Sequence, residues 1–441
     1  MKLTERMKSK LRKVNFTSVA FFAVSVISIT FAWLAYSNTI ATNLDVDIKR
    51  WDINITTGNT EITNEYDINV DSFYPGMDDY SDSFTIRNNG DLAAKIDYNI
   101  SYFRLFDQEI PTNNLTFYEL QRDYPFKISL DYDTRYLGIN DTATFSISCE
   151  WPLDSGDDAA DTLYGNMASE FYAQEQQIKA NNPSYEIRKG LELKIEIVVS
   201  QYIDETNSFA TDSWDTIQLA VEKGDTSKYS VGATKNVRVG NKNLKVKIVN
   251  KSAPTSCNGD SFSQTACGFV LEFENVIEEK KMNSSNTTNG GWPNSELYEY
   301  LHGDFFSTKL PYELRKVVAT TRVVSGHNSN ETTNYVTYDK LYLFSKKEYY
   351  GVSAQDTAAN STRQIDWYVG MSSTPIYDSG SLVGYAYLKM KKVDSLNNPK
   401  TYWFRSVNGT QLFDAVYSSS IYSPRAANEP NVWFAPAFRI T

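Results

Sequence analysis

The chain has 441 residues, of which 41% are hydrophobic and 22% charged, enough to bury more than one globular core. A formal net charge of -11 argues against nucleic acid or an anionic lipid surface as partner, because neither polyanion would be attracted. Three cysteines are too few for a disulfide framework, and two histidines leave little for a histidine-based metal centre.

Residues 1–15 form a basic tail, with Lys2, Arg6, Lys8, Lys10, Arg12 and Lys13 against a single Glu5. Phe16 to Tyr36 then runs about 20 residues without a charge, long enough to span a bilayer as a helix. Trp33 and Tyr36 stand at its outer edge, where aromatic rings favour the interface. The small-residue site Thr39-Ile40-Ala41 keeps a cleaved signal as the alternative to an uncleaved anchor. Both readings put the rest of the chain outside the cytoplasm, and the anchor makes it a single-pass protein of the cell membrane.

Residues 37–203 read as β structure. Phe84 and Ile86, then Ile96, Tyr98 and Ile100, alternate with polar neighbours on either side of an Asn-Asn-Gly turn. The segment LELKIEIVV alternates most cleanly, with Leu191, Leu193, Ile195, Ile197 and Val199 on one face. An acidic loop and a helical insertion precede it. Short strands separated by turns predict a two-sheet sandwich. Residues 204–213 are polar and loosely patterned, as in a linker. Residues 214–441 mix short strands with two helices, one carrying Leu297, Leu301 and Phe305 and the other opened by Pro311, which predicts an α+β domain. The fold class is therefore mainly β. Thirty tyrosines and 23 phenylalanines agree with strands and turns.

Two resemblances extend this. The stretches FAWLAYSNT, NLDVDIKRWDINI, YPGM, FTIRNNGDLAAKIDY, EWPLDSGDDAADTLYG and LELKIEIVVSQ, in that order over 16–201, resemble the TasA/camelysin family of Gram-positive surface proteins. That resemblance implies a jelly-roll sandwich, export, and in some members assembly into biofilm fibres. The stretches YSVGATKNVRV, SQTACGFVLEF, GGWPNSELYEYL, DKLYLFSKKEYYG, YWFRSVNG and APAFRI, over about 228–440, resemble domain of unknown function 6273. It implies a C-type-lectin-like fold to which no activity is attached. The usual Trp-Leu-Arg-Ser stands here as Trp403-Phe404-Arg405-Ser406.

No constellation for an enzyme emerges. There is no His-Glu-x-x-His and no glycine-rich phosphate loop, and His302 and His327 are about 25 residues apart. Cys149 lies in a strand pattern, where cysteines are usually inert. Asp154, Asp157, Asp158 and Asp161 offer hard oxygens at close spacing, as calcium prefers, or else a solvated turn. Glu429-Pro430-Asn431 matches half of a lectin calcium cage, but without a following Trp-Asn-Asp it reads as a turn. Cys257 and Cys267 either close a disulfide or are two small buried apolar residues. Trp292, Trp403 and Arg405 belong to the family signature and are expected in a core. Tyr417, Tyr422 and Trp433 lie outside it and are the candidates for ligand contact, since sugar rings stack on exposed aromatic faces.

These features predict a non-enzymatic, membrane-anchored surface protein without a cofactor, whose head touches a glycan or another surface protein. The alternative is a fibre subunit that self-associates through a sandwich edge, and a more remote one an exported hydrolase.

Overall fold

The computed structural model describes residues 50–203, 207–351 and 356–441. The basic tail and the span expected over 16–36 lie outside the described residues. Within the described residues, no helix is long and apolar enough to cross a membrane. The fold is mainly β, with several antiparallel sheets and few helices.

In the sandwich, one sheet contains β1 (Ile53–Thr57), β2 (Thr60–Glu61), β4 (Tyr80–Asn88), β7 (Lys127–Tyr132) and β9 (Thr142–Glu150), in the order β2-β1-β4-β9-β7. The other contains β3 (Glu65–Val70), β5 (Ala94–Leu105), β6 (Gln108–Glu109) and β10 (Leu191–Gln201), in the order β3-β10-β5-β6, with β8 (Tyr136–Leu137) also paired to β5. Alternation is the cause: Phe84 and Ile86 of β4 and Leu193, Ile195 and Ile197 of β10 turn inward into one core. Aromatic contacts stitch the two sheets, with the Tyr66 and Phe84 ring centroids 4.8 Å apart. Two helices decorate the sandwich, α1 (Phe117–Arg122) and the long α2 (Asp158–Asn181). Glu175 fixes α2 in place: its buried carboxylate accepts from the Arg188 guanidinium at 2.8 and 2.9 Å and from the Tyr185 hydroxyl at 2.9 Å.

The second domain, the head, starts before its first helix, α3 (Trp214–Glu222). Phe209, in the stretch that reads as linker, is buried in the head's core, and Asp212 accepts the Tyr229 hydroxyl at 2.7 Å. The main sheet is β11 (Thr234–Val239), β12 (Lys242–Asn250), β13 (Phe269–Phe273) and β21 (Ala437–Ile440), so the last strand closes against the early ones. Hairpins β14 (Thr321–Ser325) with β15 (Tyr335–Asp339) and β16 (Ser373–Asp378) with β17 (Ser381–Tyr387) follow, and β18 (Tyr402–Asn408), β19 (Leu412–Val416) and β20 (Arg425–Ala426) form a third sheet. The helices α4 (Glu296–Tyr300), α5 (Tyr312–Val317) and α6 (Lys346–Tyr350) are short. After α4 the chain makes a wide turn over Leu301–Lys309, broken at Gly303 (φ -90°, ψ -114°).

The head's signature residues are core. Trp292, Trp403 and Arg405 are at most 1% exposed. Arg405 meets the Glu348 carboxylate with both terminal nitrogens, at 2.6 and 2.7 Å, and the hydroxyls of Thr265 and Thr362 and the Ser345 amide complete the carboxylate's partners. A charge pair this dry is tolerable only because nearly every lone pair and proton around it is used. Cys257 and Cys267 form a disulfide with their Cα atoms 5.9 Å apart. Cys149 is buried without a sulfur partner, and burial, then Glu150 and Asp79, pushes its thiol up to about 12, which leaves it unreactive.

Candidate functional site

The sandwich and the head keep separate apolar cores and meet across an interface of ion pairs and hydrogen bonds, with Tyr118 packed edge to face on Phe306 at 5.1 Å. Arg315 of α5 donates to the carboxylate of Glu119 in α1 and, at 2.9 Å, to the carbonyl of Asn114. Glu119 is held in turn by a capping box, accepting the Thr116 amide at 2.8 Å. Lys316, the next residue, reaches Asp97 of β5 at 2.7 Å and the Tyr98 carbonyl at 3.2 Å. Arg122 from the last turn of α1 donates to the carbonyls of His302 and Gly303, which the helix break has freed, and to the Ser307 hydroxyl at 2.9 Å. On the far side Asp215 of α3 accepts from Arg135 at 2.5 Å and from Lys95 at 3.0 Å. Burial raises the Asp215 carboxyl, but these two cations outweigh it and hold its pKa below the ordinary value.

Between these contacts the interface opens into a cleft of about 430 Å³. The sandwich contributes Tyr98 from β5, Tyr118 and Gln121 from α1, and Asp131 and Tyr132 from β7. The head contributes Gln218 and Glu222 from α3, Tyr312 and Lys316 from α5, and Lys340 from just beyond β15. Tyr98 and Tyr132 pack edge to face at 5.9 Å, and the Lys316 ammonium stands 5.6 Å from the Tyr98 ring and 5.7 Å from the Tyr312 ring. Burial pushes the phenols of Tyr98, Tyr118 and Tyr132 above their ordinary range, and that of Tyr312 up to about 12, so all four remain neutral hydroxyls. Burial also raises the Glu222 carboxyl, against the pull of Arg135, and lowers the Lys340 amine to about 8. Aromatic faces, amides and a few charges on a preformed wall are the lining of a small-molecule or glycan site.

The residues singled out from the sequence lie elsewhere. Tyr417 is exposed under the guanidinium of Arg425 at 4.5 Å. The Tyr422 hydroxyl donates to Asp414 at 2.6 Å and accepts from Asn408, while the Lys346 ammonium sits 3.6 Å from its ring centroid. Trp433 lies near the ammonium groups of Lys400, at 4.8 Å, and Lys242, at 5.9 Å. Across the local sheet Trp433 neighbours Tyr402, Tyr402 pairs with Val416, and Val416 bridges to Tyr422. Three strand spacings therefore separate Trp433 from Tyr422, about 14 Å.

The acidic loop serves local structure. Asp157 caps α2 by accepting the amides of Ala159 and Ala160, Asp161 accepts the Ser155 amide, and Asp154 accepts the Gly156 amide. Asp158 begins the helix, where a negative charge suits the dipole. Among the described residues no group of three or more His, Cys, Asp or Glu is arranged to hold a metal ion. Glu429-Pro430-Asn431 is a turn: the Glu429 amide donates to Ala426, and Asn431 takes a positive φ of 63°. His302 is buried beside Asp339, its Nδ1 on the Tyr298 carbonyl at 2.9 Å, and burial lowers its pKa.

The fold thus defines a mainly β chain with two apolar cores and a cleft between them. Residues 269–441 match the family described as "Domain of unknown function (DUF6273)". No curated protein and no solved structure matches the chain. Tyr312, Lys316 and Lys340 fall inside the matched segment, whereas Gln218 and Glu222 precede it and the remaining wall comes from the sandwich. The cleft is therefore a feature of this combination of domains rather than of the matched domain alone.

Proposed function

We propose that this chain is a non-enzymatic surface protein, held in the cell membrane through residues 16–36, that binds a glycan in the cleft between its sandwich and its head. The observation that carries the reading is the lining of that cleft by four neutral tyrosines together with amide and charged side chains from both domains. Aromatic faces take the C–H surfaces of a sugar ring, and the polar groups fix its hydroxyls. The interdomain ion pairs keep the walls in register, so little ordering cost falls on binding. The same reading takes the sandwich as TasA/camelysin-like and the head as C-type-lectin-like.

A glycan array with the full chain in detergent micelles tests it. Tyr312→Ala with Gln121→Ala should abolish the signal if the cleft is the site. Loss instead with Tyr417→Ala, Tyr422→Ala and Trp433→Ala together would move binding to the outer sheet. Binding to no glycan would remove the reading, and hydrolysis of a bound glycan would favour an exported hydrolase. The second reading, a fibre subunit, has the β3 edge as its surface, since β3 ends its sheet with Glu65, Asp67 and Asn69 exposed. Concentration-dependent fibres in electron micrographs, absent when Pro replaces Asp67, would support it.

A further inference from the structure

Three cations line or border the cleft, and two of them are neutralised. Arg315 has the Glu119 carboxylate and Lys316 has Asp97. Lys340 has none: its ammonium donates to the Val318 carbonyl at 2.6 Å, and among the described residues it forms no ion pair. Burial alone accounts for the depression of its amine to about 8. A desolvated ammonium without a counter-ion is a cost that the fold does not need, because Lys340 follows β15 and could point to water. A second group is short of a partner. Neither carboxylate oxygen of Glu222 has a hydrogen-bond donor, and the Arg135 Nε that faces it stands 3.6 Å away, too far for a hydrogen bond.

The Tyr118 ring lies beside Lys340, its centroid 5.3 Å from the ammonium. An aromatic face next to one unmatched cation, with an acceptor lacking a donor in the same cleft, describes a ligand with a C–H ring face, one carboxylate and free hydroxyls. Resting on the cleft as the binding site, we propose that the ligand is an acidic saccharide, a uronic acid residue whose ring packs on Tyr118, whose carboxylate pairs with Lys340, and whose hydroxyl donates to Glu222. A densely charged oligophosphate fits less well than a uronate chain with one carboxylate per sugar ring, since Asp131, Asp133 and Glu222 also line the cleft and only one of its cations is unmatched.

The experiment compares two probes, tetragalacturonate and neutral cellotetraose, by calorimetry against the full chain in detergent micelles. The acidic probe should bind at least tenfold tighter, and Lys340→Gln should remove that preference, bringing the affinities for the two probes together. A second measurement needs no variant. Acetylation of Lys340 by N-hydroxysuccinimidyl acetate at pH 8, read by peptide mass spectrometry, should slow severalfold with tetragalacturonate and not with cellotetraose. Equal affinity for the two probes, or unaltered acetylation of Lys340, would overturn the acidic-ligand assignment and leave the cleft as a neutral-glycan site. Binding of neither probe would overturn both.

Discussion

Arg315 of the head and Glu119 of the sandwich form a buried ion pair across the domain junction, each side chain about 5% exposed and separated by 196 residues of chain. Removing the arginine should leave Glu119 charged and dry, because its remaining partners are the cap groups of Thr116. Arg315→Met is therefore expected to cost about 3–5 kcal/mol. The double variant Arg315→Met with Glu119→Gln should recover part of that loss. Urea denaturation followed by far-ultraviolet circular dichroism reads both, and additivity of the two single changes would show that the pair does not act as a unit.

The head should depend similarly on Arg405. Its two terminal nitrogens match the two oxygens of Glu348, and Nη1 also donates to the Leu343 carbonyl at 2.7 Å. Arg405→Met is expected to cost about 3–5 kcal/mol, and Arg405→Lys to restore only a fraction, since a single ammonium cannot make the paired contact. Thermal melts of the three proteins rank them. Equal melting temperatures for the lysine variant and the wild type would refute the bidentate account.

Asp414 gives a pH signature. Burial drives its carboxyl up to about 6, although the hydroxyl of Tyr422 and the amide of Asn408 pull the other way. The folded protein therefore holds this proton more tightly than the unfolded chain, whose carboxyl titrates near 4. Its contribution is fully present below pH 4 and is lost as pH rises through about 6. Asp414→Asn should flatten that decline, so the wild type minus variant difference in unfolding free energy shrinks between pH 4 and 6.5. Asp366 acts with the opposite sign: burial raises it, but the Lys251 and Ser252 amides, the Ser252 hydroxyl and Arg363 hold it down to about 2, so its contribution fades only as the pH falls toward that value.

The Cys257–Cys267 bond closes a loop with a sequence separation of 10. Chain entropy alone gives a loop of this size about 3 kcal/mol. Reduction, or Cys257→Ser with Cys267→Ser, should lower the melting temperature by several degrees without changing the secondary structure. A melting curve that ignores dithiothreitol would count against any role in stability.

Much of the fold is legible in local patterns. The alternation of Leu191 through Ile197 places four side chains in the core of the sandwich, because period two leaves one face for the interior. The tryptophans of the head signature are similarly readable, since an apolar ring that size is rarely left wet. The cleft is not legible. Tyr98, Tyr132, Glu222, Tyr312 and Lys340 come from separate elements in two domains, and each looks like an ordinary strand, helix or loop residue beside its neighbours in sequence. Tyrosine abundance is the one trace of it, and abundance does not say which rings converge. Arg405 stands out from its motif, but Glu348 lies 57 residues earlier in a helix that gives no hint of an ionic partner. Long-range charge matching has no periodicity, so it waits for the fold to reveal it.

Arg122 finishes a turn that belongs to the other domain. The carbonyls of His302 and Gly303 find their donors in a guanidinium supplied more than 170 residues earlier, by α1 of the sandwich. Recombination that grafted this head onto a different stalk would strand the His302 carbonyl, together with Arg315 and Lys316, and leave Gly303 only the Ser307 hydroxyl, unless the new stalk carried the same charges in the same places. The two halves are consequently heritable as a matched set, and shuffling either one alone is a change that selection should punish.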